Sequence, residues 1–117
     1  MGDDVRFWQA LENLLENHAI VVDRPKGSTH PRYPDVQYPL DYGYVDGTRS
    51  GDGEGIDIWT GTAREEGLTA VVCTVDLEKR DVELKLLFQC TAQETRQILQ
   101  FHQQKNQAAI LVPSSRM

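Results

Sequence analysis

Four of the five prolines in this 117-residue chain, Pro25, Pro31, Pro34 and Pro39, crowd into one short stretch. Each lacks a backbone donor and pushes the residue before it toward extended conformation, so the stretch can be neither helix nor interior strand. Tyr33, Val36, Tyr38, Tyr42 and Tyr44 run through it and just beyond, and give it aromatic mass to pack, which a proline-rich linker lacks. An ordered, extended segment is expected there, with regular structure confined to its two sides.

On the N-terminal side, Phe7, Trp8, Leu11, Leu14 and Leu15 recur at three- and four-residue steps and predict an amphipathic helix from Asp4 to His18. His18 prolongs that stripe and reads as a capping or packing residue rather than a ligand. Ala19 to Val22 reads as a strand that Pro25 ends. On the C-terminal side, Ile56 to Trp59, Leu68 to Val75 and Val82 to Phe88 read as strands, the last two as a hairpin. Val82, Leu84, Leu86 and Phe88 alternate with Glu83, Lys85 and Gln89. Thr91 and Glu94 form a capping-box pattern, and Thr95, Ile98, Leu99 and His102 then mark one face of a second helix. Ala108 to Val112 is a short closing strand. Without a repeat or a linker, residues 1–117 read as a single α+β domain, mainly β, built on a sheet or small barrel with an N-terminal and a C-terminal helix.

Composition removes several function classes. Twelve Lys and Arg face 18 Asp and Glu, a net charge of −6, and no run of bases offers the footprint a phosphate backbone needs, so nucleic acid is not an expected partner. The apolar runs fall far short of the roughly 20 residues that span a bilayer, and the acidic start does not resemble a signal peptide, so no membrane partner and a cytoplasmic location are expected. Cys73 and Cys90 sit singly in strand-like runs and read as core thiols. Trp8 and Trp59 read as core residues too, although either could anchor a homo-oligomer.

The densest chemistry lies between Asp41 and Asp57, where Asp41, Asp46, Asp52, Glu54 and Asp57 share a stretch with Gly43, Gly47, Gly51, Gly53 and Gly55. Glycine lets such a loop turn tightly enough to bring Asp52, Glu54 and Asp57 together. Converging carboxylates repel, and hard oxygen donors suit Mg²⁺, or Mn²⁺. A solvated acidic turn without metal is the plainer alternative. An EF-hand is excluded, because Ala63 stands where its bidentate acid belongs. Ahead of the acids, Arg24, Lys26, His30 and Arg32 cluster, which suggests an anionic, phosphate-bearing small molecule, unless they merely balance the excess acids. Asp81, Glu83 and Lys85 share one strand face by alternation, a pattern that by itself more often marks a solvent face.

The order of these motifs resembles the soluble family I inorganic pyrophosphatases. Asp23-x-Pro25, Arg32-Tyr33, Tyr38-Pro-Leu-Asp-Tyr-Gly-Tyr44, Asp52-Gly-Glu-Gly-Ile-Asp57 and Glu83-Leu-Lys85 carry the likeness, over roughly Val22 to Lys85. It implies a small closed, OB-like β-barrel, Mg²⁺ dependence and hydrolysis of diphosphate to two orthophosphates. It also implies Asp52, Asp57 and Glu83 as metal ligands, with Asp76 or Asp81 as a further one. Glu54 stands where the family has the acid that helps deprotonate the attacking water. Asp23 replaces an active-site glutamate, and Tyr42 matches an active-site tyrosine. Arg32 and Lys85 fall at phosphate-binding positions. The chain departs from the family in a shortened Pro34-Asp-Val-Gln37 link, which removes a phosphate-binding arginine. His102 and Gln103 stand where a Tyr-Lys clamp is usual. Lys26, His30, Arg96 and Lys105 are the candidates to compensate. The alternatives are a larger diphosphate substrate such as a nucleotide, and a module that binds metal and phosphate without turnover.

Overall fold

The computed structural model describes residues 2–114, and in these the elements run α1 (Gly2–Glu16), β1 (Ile20–Arg24), β2 (Asp41–Val45), β3 (Ile56–Thr60), β4 (Leu68–Asp76), β5 (Asp81–Phe88), α2 (Ala92–Phe101) and β6 (Gln107–Pro113). The class is α+β and mainly β, as expected. The strands form one six-stranded sheet in the order β1-β2-β3-β5-β4-β6, antiparallel except for β3 against β5. Among the described residues no ladder joins β1 to β6, so strand pairing does not make the closure expected of a barrel. No described helix is long and apolar enough to cross a membrane.

The central strands carry apolar side chains on both faces, and each face has its own core. On one, Trp8 of α1 packs with Val45, Ile58, Leu68, Val71 and Leu86, and Leu11 and Leu15 extend the contact. On the other, Trp59, Ala70, Val72 and Leu87 pack with Ile98 of α2 and with Tyr38 and Leu40 from the proline-rich segment. Neighbouring residues on β3, β4 and β5 thus serve opposite cores, as the period-two alternation of a strand requires. The helical stripe of α1 is narrower than the sequence implies: Phe7 is 46% exposed and only edges onto Trp8. Both tryptophans are core residues, Cys90 is buried, Cys73 is half-buried, and both thiols are free. His18 packs at the end of α1, with Nδ1 2.8 Å from the Leu14 carbonyl oxygen.

Local chemistry sets the boundaries. Thr91 Oγ1 accepts the Glu94 N–H and Glu94 Oε1 accepts the Thr91 N–H, the reciprocal capping box. Glu94 also accepts from the Thr62 backbone and hydroxyl, tying α2 to the residues after β3. The proline-rich segment is ordered, as expected, by a bridge between Thr29 and Gln37 and by Gly27 N–H donating to the Tyr38 carbonyl. Two strands cut into the acidic stretch. Asp41 opens β2, Asp57 lies on β3, and the connecting loop is residues 46–55. Asp41 Oδ1 accepts the Lys26 N–H at 2.9 Å, a structural bond that fastens the turn after β1.

Candidate functional site

A cleft of about 600 Å³ opens on the α2 side of the sheet. Asp23 from β1, Tyr42 from β2, Asp52 and Glu54 from the glycine loop, Asp57 from β3, and Glu83 and Lys85 from β5 all line it. Five carboxylates from four separate stretches of chain therefore face one space.

Strand alternation supplies the β5 members. Glu83, Lys85 and Leu87 project to the same face, with Leu87 in the core and the other two at the cleft. The plainer alternative of a solvent face therefore fails for Glu83 and Lys85, while Asp81 stays outside the cleft. Lys85 is only 6% exposed, whereas Val82, on the apolar side of the alternation, is 72% exposed. Leu86, further along the same face, packs in the cluster with Trp8 of α1, whereas Val82 belongs to neither core cluster.

Lys85 Nζ donates to Tyr42 Oη at 2.8 Å, to Asp57 Oδ2 at 2.7 Å and to Glu83 Oε1 at 2.7 Å, which uses all three of its protons. Burial alone would lower its pKa, but the partners Tyr42, Asp57 and Glu83 outweigh burial and raise it, so the ammonium stays charged. Tyr42 is pushed above the usual phenol range by burial and by Asp57, with Lys85 opposing, and stays neutral. Its ring rests on Trp59 and Tyr38, at centroid distances of 4.6 and 5.4 Å, so the hydroxyl is rigidly presented.

The glycine loop holds Asp52 by hydrogen bonds. Ser50 Oγ donates to Asp52 Oδ1 at 2.7 Å and the Glu54 N–H donates to the same oxygen at 2.9 Å, with Gly53 at φ 87° closing the turn. These donors, Ser50 first, hold the exposed Asp52 carboxyl below the ordinary range. Glu54 projects from the same turn, exposed at the cleft.

The remaining candidates are distributed unevenly. His30 lines the cleft, and its pKa is lowered by burial and then by the charges of Arg24, Arg32 and Lys79. Arg32 lies 3.9 Å from Glu78 and Lys26 is exposed, and neither lines the cleft. Lys105 is engaged with Asp35 at 3.3 Å, and Arg96 is exposed on α2. Asp76 Oδ1 accepts the N–H groups of Glu78 and Lys79, and its Oδ2 accepts from Gln107, so it caps the β4–β5 turn. Asp81 faces Lys79 at 3.9 Å, and its pKa is raised by burial and by Glu83. Neither Asp76 nor Asp81 lines the cleft.

Two contributors went unrecognised in the sequence. Arg24, one of the clustered bases but given no role of its own there, lines the cleft beside Asp23. The sequence places His102 on one face of the second helix and at the usual clamp position, and gives it no chemistry. It is buried, accepts the Trp59 Nε1–H at Nε2 (3.1 Å), and donates from Nδ1 to Gln107 Oε1 (3.0 Å). Burial pushes its pKa down to about 4, so the ring is neutral.

The donor set of the cleft is all carboxylate, the hard oxygen chemistry that Mg²⁺ and Mn²⁺ favour. Among the described residues no three His, Cys, Asp or Glu side chains are already drawn together as a metal-holding group. Lys85 stands between Asp57 and Glu83 instead. No protein-family model matches this chain, and no curated protein matches it.

Proposed function

We propose that the chain is a metal-dependent inorganic diphosphatase acting in this cleft. The observation that carries the reading is the convergence of Asp23, Asp52, Glu54, Asp57 and Glu83 on one cavity that also holds the charged Lys85. That combination suits a multiply charged phosphate anion brought in with a cation.

Asp52, Asp57 and Glu83 are the side chains that would hold Mg²⁺ or Mn²⁺, and Asp76 or Asp81 would have to turn inward to join them. When bound, the cation neutralises phosphate oxygens and makes water more acidic. The chain's own groups do the rest. Glu54 accepts the proton of the attacking water as its oxygen bonds to one phosphorus. The bridging P–O bond breaks on the opposite side, releasing two orthophosphates. Lys85, its three protons held by Tyr42, Asp57 and Glu83, acts on the departing phosphate through its charge alone. Asp23 and His30 also line the cleft, and Arg32 and Lys26 would reach substrate only by leaving their present positions.

The fold that accompanies this reading is the small OB-like barrel. What supports it is that Tyr42 of β2 and Ala109 and Leu111 of β6 pack against the same one of the two core clusters, as a curled sheet allows. Orthophosphate release from diphosphate, two per molecule and dependent on Mg²⁺, tests the function. Glu54→Gln should abolish that release while the protein stays folded.

One observation favours a second reading, binding of metal and phosphate without turnover. Lys85 already stands between Asp57 and Glu83 and offsets part of their charge before any cation arrives. That reading predicts calorimetric heat with Mg²⁺ and diphosphate and no orthophosphate.

A further inference from the structure

Arg24 occupies an unusual place in β1. The β1–β2 register pairs Val22 with Gly43 and Arg24 with Tyr42, so Asp23 and Arg24 together oppose one residue, a β-bulge. On a regular strand two consecutive side chains point to opposite faces. Here both Asp23 and Arg24 line the cleft. Gly43 makes the bulge possible, since a Cβ there would run into the Val21 carbonyl oxygen. Beyond the bulge, the Pro25 carbonyl accepts the Ser28 N–H and hydroxyl, and Asp41 fastens Lys26, so the backbone carrying Arg24 is fixed on both sides.

The charge balance of the cleft isolates this guanidinium. Three Lys or Arg side chains line it: Arg24, Lys79 and Lys85. Lys85 is saturated by its three partners, and Lys79 lies 3.9 Å from Asp81 and 4.0 Å from Glu83. Among the described residues Arg24 has no carboxylate within ion-pair distance, and the other Lys and Arg side chains without one, such as Arg64, are exposed. A half-buried Arg beside five acids, paired with none of them, presents a planar fork of donors to whatever enters the cleft.

We propose that Arg24 is a phosphate-binding residue of the cleft, its guanidinium aimed by the β1 bulge to grip the oxygens of a diphosphate in a bidentate manner. The assignment rests on the diphosphate reading above, and it supplies from β1 a cation that the shortened Pro34–Gln37 link cannot. Arg24 acts on binding of the anion, whereas Glu54 and Lys85 act on the bond being broken.

The test is calorimetric binding of methylenediphosphonate, a non-hydrolysable diphosphate, with Mg²⁺ present, to wild type, Arg24→Met, Arg24→Lys and Arg64→Met. Arg24→Met should weaken binding about tenfold or more, the loss of a charge-assisted pair, with Arg24→Lys in between and Arg64→Met unchanged. Circular dichroism establishes that each variant is folded. Equal affinity for wild type and both Arg24 variants overturns the proposal, as does failure of wild type to bind at millimolar concentration. Arg24-dependent binding without orthophosphate release from diphosphate supports the Arg24 assignment and removes the hydrolytic reading instead.

Discussion

The Lys85 ammonium lies 2.7 Å from Asp57 Oδ2, with 8% of the Lys85 side chain exposed. This pair joins β5 to β3 at the floor of the cleft and sets how the site responds to cations. Removing one partner of a buried pair leaves the other uncompensated, at a cost of roughly 3 kcal/mol. Lys85→Met should therefore unfold at lower denaturant than wild type. Millimolar Mn²⁺ should restore more stability to the variant than it adds to wild type, because Asp57 and Glu83 are then open to the cation. Paired melting curves with and without Mn²⁺ measure both effects.

Asp52 is exposed and held by the loop's own donors, so it contributes little to folding and is free to act on a ligand. Asp52→Asn should leave the melting temperature without metal nearly unchanged and weaken Mg²⁺ binding about tenfold or more. Calorimetric titration of Mg²⁺ into both proteins checks this. Unchanged affinity would return the glycine loop to an ordinary acidic turn.

The buried His102 makes stability depend on pH. Its folded pKa of about 4 lies below the ordinary histidine value of 6.5, so between these values the unfolded chain takes up a proton that the folded chain refuses. Its contribution is complete above about pH 6.5 and is lost as pH falls through the window to about 4, a loss on the order of 3 kcal/mol. His102→Asn should flatten that part of the profile relative to wild type. Urea unfolding at pH 7 and pH 4.5 reads the difference.

The capping box at α2 does more than end a helix. Thr91→Ala removes one capping bond and should cost about 1 kcal/mol. Glu94→Ala also releases the Thr62 backbone and hydroxyl, and should cost about 2 kcal/mol. Equal losses in denaturant unfolding would mean that the link between α2 and Thr62 contributes nothing.

Much of this architecture is legible in the chain. Thr91 and Glu94 mark the start of α2, and the alternation of residues 82–88 marks β5, because both signals are local. β2 is hidden. Asp41-Tyr-Gly-Tyr-Val45 follows a proline and carries glycine and aspartate, the chemistry of a loop, and becomes a strand only through pairing of Asp41 with Thr60 and Val45 with Ile56. The same distance effect governs the site. The glycine spacing brings out Asp52 and Glu54 as candidates, but which residues of β5 meet solvent depends on packing against distant parts of the chain, as Leu86 does with Trp8 and Val82 does not. The aim of Arg24 depends on a bulge set by the β1–β2 register, and the hydrogen bond from Trp59 to His102 joins residues that only the folded sheet and α2 bring together.

On the proposed function, Asp57 and its neighbours serve cation-dependent cleavage of a phosphoanhydride. The most direct measurement is orthophosphate release from diphosphate with Mg²⁺, comparing wild type with Asp57→Asn. Steady release by wild type that falls at least about a hundredfold in the variant is the predicted result. No release by folded wild type, or equal release by both proteins, would contradict it.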